Sequence, residues 1–287
     1  MVTLRAPSAA IGAVRALRAH ARGVPALSGA GVEADVAVRV AGTLAERGFG
    51  GSLQYIAAPA GHPEQAEEHT RDCLRLLDRV ADAGLAGRAD VLLRPGALGL
   101  GLGPEGRALA ADNLARICAA ARETGTRVTL DAEDGPGNPA SAAPRLVAEV
   151  RAVHPALGGT LPPYPGPSAA DLRALAAPGA RVRLRGADRP RPPVPGRHAA
   201  DLAFVRTLRT LMPGPASLVV ATRDPRLIEI AGTLAVLHER SSGGLEYELP
   251  HGVRPVHLYR LRARGARVRV RVLIGRAGLG PPRRIAG

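Results

Sequence analysis

From Glu33 onward the chain alternates between two hydrophobic periods, and no other feature restricts its fold as much. Short β-type runs occur at Gly50–Ile56, Asp90–Leu93, Arg127–Leu130, Gly158–Leu161, Arg181–Leu184, Leu218–Ala221, Leu245–Leu249 and Val268–Leu273. Amphipathic helical stretches separate them. Glu67–Ala83 places Cys73, Leu74, Leu77, Val80 and Ala81 on one side at helical spacing. Arg107–Thr124 does so with Leu109, Leu114, Ile117 and Cys118, and Ala199–Met212 with Leu202, Val205, Leu208 and Leu211. Ser168 with Asp171 three residues later predicts a capped helix start, and Pro225–Glu239 and Gly252–Arg264 continue the alternation. Eight strand signals with helices between them predict parallel strands joined by crossover helices. At about 250 residues, the expected fold is an α/β architecture, a (β/α)8 barrel of the TIM type. Residues 1–32 are expected to form an N-terminal helical arm, and residues 33–287 the barrel.

A doubly wound open sheet is the competing architecture, and it normally carries a glycine-rich turn directly after its first strand. Gly101-Leu-Gly103-Pro-Glu-Gly106 has that spacing. Here, however, Arg94 through Leu100 intervene after the strand, and Pro104 removes an amide donor from the turn. In a chain of 35 glycines the match reads as a loop before the next helix. A P-loop requires lysine, and the chain has none.

All 39 basic residues are arginine, set against 25 acidic ones, for a formal net charge of +14. With abundant Ala, Gly and Pro, this is the profile of a GC-rich coding sequence, so the arginine excess is partly a codon effect. A basic surface attracts polyanions. Nucleic-acid binders, though, interleave basic residues with stacking aromatics, and only six aromatics exist here, which argues against a nucleic-acid partner. Two cysteines, Cys73 and Cys118, support neither a disulfide scaffold nor a cysteine-rich metal cluster. No apolar run approaches the length of a membrane span, so the chain is expected to be soluble and cytoplasmic. Arg5, Arg15, Arg18 and Arg22 precede the first acid, Glu33, and Ile11, Val14 and Leu17 form one apolar stripe. That start has the character of a transit peptide or, in so arginine-rich a chain, of a plain leading helix.

Several polar clusters are candidates for chemistry. His62, Glu64, Glu67, Glu68 and His69 lack the H-E-x-x-H spacing of a zinc site and read as a solvated first helical turn. Asp131, Glu133 and Asp134 directly follow the apolar strand Val128–Leu130, where barrel strands end and catalytic groups collect. Thr222-Arg-Asp-Pro225 holds the same place after Leu218–Ala221, although Asp224 before Pro225 serves equally well as a helix cap.

These residues resemble the FAD-dependent proline dehydrogenases over most of the chain. Val128-Thr-Leu-Asp-Ala-Glu-Asp134 is similar to that family's strand-end signature. Ala89-Asp-Val-Leu-Leu-Arg-Pro-Gly-Ala-Leu-Gly99 stands where the family has a lysine before Leu-Ser-Ala-Leu-Gly, and Leu161-Pro-Pro-Tyr164 where it has Leu-Gln-Ala-Tyr. Gly179-Ala-Arg-Val-Arg-Leu-Arg-Gly-Ala187 resembles the Arg-Leu-(Cys/Val)-Lys-Gly-Ala-Tyr run, one residue shorter. Val220-Ala-Thr-Arg-Asp-Pro-Arg-Leu-Ile228 resembles the Ala-Thr-His-Asp-Pro segment. Glu246-Tyr-Glu-Leu-Pro-His-Gly-Val-Arg254 resembles Glu-(Phe/Tyr)-Gln-Met-Leu-Tyr-Gly-(Val/Ile)-Arg. Val268–Gly275 follows the eighth strand, and Arg283-Arg284 the terminal arginine pair.

The resemblance implies a flavin-holding (β/α)8 barrel that oxidises L-proline or a related imino acid to pyrroline-5-carboxylate, passing a hydride to FAD. It implies Arg94 at the active-site lysine position, Asp131 as the strand-three aspartate, and Arg283 and Arg284 as the clamp on the substrate carboxylate. Arg183, Arg185, Thr222, Arg223 and Glu246 fall at positions around the cofactor. A quinone or another acceptor would take the electrons, and peripheral membrane contact fits such a role. The departures fall where chemistry is expected. Arg94 replaces lysine, Pro162 glutamine, Asp188 tyrosine, Arg223 histidine, Glu248 glutamine and His251 tyrosine. Arg271 stands where an aromatic walls the substrate, and Gln54 and Ala58 replace an acid pair. The alternative is therefore a catalytically degenerate barrel that binds flavin or a partner without turnover.

Overall fold

A computed structural model describes residues 33–132, 142–161, 167–186, 196–241 and 243–275. The expected arm, residues 1–32, lies outside them. Eight parallel strands pair in sequence order and close on themselves: β1 (Gly50–Tyr55), β2 (Ala89–Leu93), β3 (Arg127–Leu130), β4 (Gly158–Leu161), β5 (Arg181–Arg185), β6 (Ser217–Ala221), β7 (Leu245–Pro250) and β8 (Arg267–Ile274). The closing pair sets Ser52 against Arg271 and Gln54 against Leu273. Among the described residues the helices are α1 (Ala34–Glu46), α2 (Pro63–Asp82), α3 (Gly106–Glu123), α4 (Ala142–Arg151), α5 (Ala169–Leu175), α6 (Gly196–Leu211), α7 (Pro225–Leu237) and α8 (Pro255–Ala263). The alternation therefore folds as expected, into a closed barrel and not an open sheet. The Gly101–Gly106 segment is the turn that leads into α3.

The main apolar core lies outside the barrel, between the sheet and the helices. Alternate strand residues such as Leu53, Val91, Leu130, Val182, Val220, Leu249 and Val272 point outward and pack there with Leu77, Ile117, Leu146 and Phe204. The helical stripes differ in detail from the sequence reading. In α2 the buried positions include Leu76, and Leu74 is half-buried. In α6 the sheet-facing residues are Phe204, Leu208 and Leu211, while Leu202 is 43% exposed. A helix lying across a curved sheet buries only the narrow face beneath its axis, so the flanks of a read stripe stay wet. Ser168 accepts from the Asp171 amide and Asp171 from the Ser168 amide, the expected capping box.

The inward face is charged. Barrel interiors of this class are usually filled by aliphatic layers. Here Asp90, Arg181, Glu246 and Arg269, all near the strands' N-terminal ends, form a buried ion-pair layer. Asp90 Oδ2 lies 3.0 Å from Arg181 and 2.7 Å from Arg269, and Glu246 Oε2 lies 2.6 Å from Arg181. Arg269 also donates to the Gly51 carbonyl at 2.7 Å. A Cβ on Gly50 would come within 2.9 Å of the Arg269 guanidinium, so only glycine lets that side chain lie across the barrel floor. Arg127 and Arg267 add outer contacts to Asp90 and Glu246 from the wetter edge.

Each charge in this layer depends on its neighbours, because an unpaired ion in an apolar interior costs several kcal/mol. Replacing Asp90 with alanine leaves Arg181 and Arg269 to share Glu246 alone, with an expected loss of about 3 kcal/mol, or roughly 10 °C in Tm. Arg107→Ala, which breaks an exposed pair with Glu149, should cost less than about 1 kcal/mol. Equal losses in thermal melts would contradict the layer's role. Burial pushes the Glu246 carboxyl up, but Arg269, Arg181 and Arg267 outweigh it and hold the pKa at about 2. The folded value lies below the ordinary 4.5, so this stabilisation is full above that pH and drains away as pH falls toward 2. Urea titrations between about pH 5 and 2 should show stability falling with acid, and a shallower slope for Glu246→Gln.

Candidate active site at the barrel mouth

At the C-terminal ends of the strands a second charged group fills the mouth. Asp131 follows β3 directly, and its amide donates to the Leu93 carbonyl at 2.7 Å, which extends the ladder one residue beyond the strand. Its carboxylate is saturated. Oδ2 accepts from Gln54 Nε2 at 2.7 Å, and Oδ1 accepts from the Ala132 amide at 3.0 Å and from an Arg183 nitrogen at 3.0 Å. Arg183, from β5, is 2% exposed and also donates through Nε (3.1 Å) and a terminal nitrogen (2.6 Å) to Glu248 Oε1 on β7. Arg183 is thus gripped by two buried carboxylates.

Three more guanidiniums stand above this floor. Arg94 continues the inward-facing row of β2, Arg185 ends that of β5, and Arg271 lies on that of β8; all three are half-buried. Burial drives the Asp131 carboxyl up, yet Arg183, Arg185, Arg271 and Arg94 together hold it below the usual carboxylate range. Glu248 is likewise held low against its burial, by Arg183 first and then by Arg271. Arg185, Arg223 and Arg271 also engage other groups within the protein.

Thr222 and Arg223 stand at the head of β6. Thr222 is buried and its Oγ1 accepts from the Asp224 amide at 3.1 Å. A Cβ on Gly186 would meet that hydroxyl at 2.7 Å, so the ends of β5 and β6 can close together only over glycine. Asp224 takes the capping role weighed from sequence. It accepts from the Arg226 amide at 2.9 Å, and Arg226 and Arg197 hold its carboxyl well below the ordinary range despite partial burial. Arg197, Asp201, Thr222, Arg223 and Leu227 line a small pocket beside this turn.

Of the residues singled out from sequence, Arg94, Asp131, Arg183 and Arg185 come together at the mouth, with Thr222 and Arg223 at its β6 side. Glu246 is not among them. Its carboxylate lies in the lower layer, spent on Arg181, Arg267 and Arg269, and Glu248 is the β7 acid that faces the mouth. Arg283, Arg284, Glu133 and Asp134 lie outside the described residues. Sequence reading registered Gln54, Glu248 and Arg271 only as departures and gave them no role. Their shared signal is the inward parity of β1, β7 and β8.

No protein-family model matches the chain. Proline dehydrogenase 1 of Bacillus subtilis strain 168 is 24% identical over 249 residues, covering 86% of this chain and 80% of the relative. The proline dehydrogenase of Deinococcus radiodurans is 26% identical over 252 residues, with the same coverage. Along most of its length the chain is thus similar to proline dehydrogenases. Solved structures agree in fold. Proline utilization A of Bdellovibrio bacteriovorus, inactivated by N-propargylglycine, superposes with a TM-score of 0.76 at 15% identity over 91% of this chain. The Bradyrhizobium japonicum protein of the same name gives 0.63 at 17% identity over 80%. This chain spans only about a third of those longer proteins, 32% and 27% of their lengths.

The two carboxylates share one guanidinium, so their losses should not add. Asp131→Asn and Glu248→Gln each remove one carboxylate from Arg183, whereas the double substitution removes both carboxylates that grip this buried cation. In urea denaturation the double variant is expected to lose at least about 0.5 kcal/mol more than the two singles summed. Simple additivity would mean that Arg183 does not couple them.

Proposed function

We propose that the mouth of this barrel oxidises L-proline or a closely related imino acid to pyrroline-5-carboxylate with FAD, the family's cofactor. The observation that carries the reading is the Asp131–Arg183 pair. It joins the ends of β3 and β5 at the positions the family resemblance assigns to the site, in a chain aligned with proline dehydrogenases over 86% of its length. The residues present fit the cofactor in kind. Guanidiniums suit phosphate oxygens and the flavin atoms that gain negative charge on reduction, and Arg94, Arg183, Arg185 and Arg223 supply them around one opening.

When bound, FAD supplies the acceptor for the hydride that leaves the ring carbon beside nitrogen; the nitrogen loses its proton as the C=N bond forms. The protein's share is positional and electrostatic. In this reading Asp131, kept ionised by its four arginines, fixes the orientation of Arg183. Arg183 in turn stabilises developing negative charge at the mouth. Glu248 shares that guanidinium and moderates its charge. Arg283 and Arg284 are assigned the substrate carboxylate. A quinone or another acceptor would reoxidise the flavin. No helix among the described residues is long and apolar enough to cross a membrane, and a cytoplasmic enzyme touching a membrane only peripherally completes the reading.

The test is spectroscopic. The purified protein should be yellow with bound flavin, and anaerobic L-proline should bleach it. Arg183→Met should slow bleaching by about tenfold or more, the scale of a lost charge-stabilising donor. Flavin that binds but resists every imino acid would favour the non-catalytic barrel, and protein that refuses FAD would end the enzyme reading.

A further inference from the structure

Helix α3 turns an apolar face to the barrel, built from Ala110, Leu114, Ile117, Cys118 and Ala121. Asn113 lies in that face and is 1% exposed. A buried amide costs stability unless its polar atoms are met, so its place among aliphatic neighbours demands partners. Two are present. Nδ2 donates to the Leu98 carbonyl at 3.1 Å, and Oδ1 accepts from Arg116 at 3.2 Å. A carbonyl only accepts and a guanidinium only donates, so the amide has a single satisfied orientation. Arg116 is itself held from α2, where Glu67 accepts from its two terminal nitrogens at 2.6 and 3.1 Å.

The carbonyl that Asn113 holds belongs to one turn of 3-10 helix, Gly96–Leu98, which begins two residues after Arg94 and lies between α2 and α3. The Leu98 and Leu100 amides close the turn on the Pro95 carbonyl, at 3.1 and 3.2 Å, and the Ala60 amide, from the loop after β1, donates to the Gly96 carbonyl at 2.9 Å. On the other side of Arg94, the Leu93 carbonyl accepts from the Asp131 amide at 2.7 Å. β2 and β3 pair Leu93 with Leu130, so this bond carries the register one step on and sets Arg94 beside Asp131 on the inward face. The backbone of Arg94 is thus fixed from both sides, by β3 before it and by the turn after it. Asn113 reaches that turn from outside the sheet.

We propose that Asn113 is a positioning residue for Arg94: through the Leu98 carbonyl it holds the turn that sets where the Arg94 guanidinium stands at the mouth. The proposal rests on the oxidising function above and adds to it a residue outside the barrel wall. Asn113 touches neither cofactor nor substrate and takes no part in bond making. Its contribution is preorganisation, because a guanidinium on a fixed turn meets its ligand without first giving up loop freedom. The Glu67–Arg116 pair, half-exposed at the outer edge, holds the amide in the orientation that donates to the turn.

Asn113→Ala, Arg94→Met and the double substitution, each in the full chain loaded with FAD, test it. Asn113→Ala should lower kcat/KM for L-proline in anaerobic bleaching by about tenfold, within the range that a small misplacement costs. In the Arg94→Met background the same substitution should change kcat/KM by less than about twofold, because nothing is left to position, while the fall in Tm it causes stays the same. Arg116→Ala, which removes only the outer clamp, should show a smaller loss with the same dependence on Arg94. Losses that multiply, in place of vanishing in Arg94→Met, would make Asn113 a purely structural residue and overturn the proposal while the oxidising function stands. If the flavin resists reduction or does not bind, the oxidising function fails, and the placement of Arg94 is read instead by phenylglyoxal modification mapped by peptide mass. Arg94 modified severalfold faster in Asn113→Ala, with the exposed Arg173 unchanged, supports the positioning role. Equal rates at Arg94 in the two proteins overturn it.

Discussion

Everything inside this barrel depends on guanidinium–carboxylate pairing. A barrel of this kind needs its centre filled, and here arginine fills it where aliphatic side chains usually do. Arg183 is nearly inaccessible to solvent, and Asp131 and Glu248, reaching it from β3 and β7, offset the cost of burying its charge. Arg181 and Arg269 stand in the same relation to Asp90 and Glu246 one layer below. Such pairs add less to stability than an apolar core of equal volume would, but they are unforgiving of error. A one-residue slip of any of these strands would turn its arginines into the outer apolar core and bring valines or leucines to face the remaining carboxylates. The pairing thus fixes the register of the barrel and, through it, which side chains reach the mouth.

That duality explains why the fold was legible in the sequence. In Arg267–Ile274 and Arg181–Arg185 every second residue is aliphatic, and in Leu245–Pro250 every second residue is aliphatic or tyrosine, so the outward face announces itself. Strand limits followed to within a residue or so. Helices were harder. α4 opens on Ala-Ala-Pro and spans only ten residues, so its one apolar face, Ala143, Leu146, Val147 and Val150, is easily passed over. In α6 Leu202 seemed to belong to a stripe whose true centre is Phe204 and Leu208. A stripe read from spacing has no absolute orientation until the sheet beneath it is known.

The site was legible at its centre and misread in depth. Asp131 and Arg183 emerged from strand-end position and family resemblance together. Glu246 was taken for a mouth residue because it opens a matching motif, yet Glu246 and Glu248 share a face and differ by about 7 Å in height. Motif matching carries no height; only pairing with the neighbouring strands does, and it sets Glu246 against Arg267 and Glu248 against Arg269. Gln54 and Glu248 stood out residue by residue only as departures from the family pattern. In space they form one arrangement, a neutral donor on β1 and a charged acceptor on β7 that jointly saturate Asp131 and Arg183.

Charge arithmetic by layer then says where binding energy is available. In the lower layer the two fully buried arginines balance two carboxylates, and Arg127 and Arg267, at the solvated edge, are screened by water. Nothing there attracts a ligand. At the mouth the buried floor holds two carboxylates to one arginine, and three half-buried arginines answer them from above. Asp131 and Glu248 are therefore held from below by Arg183 and from above by residues of β2, β5 and β8, so a change in any one of these strands is felt at both carboxylates.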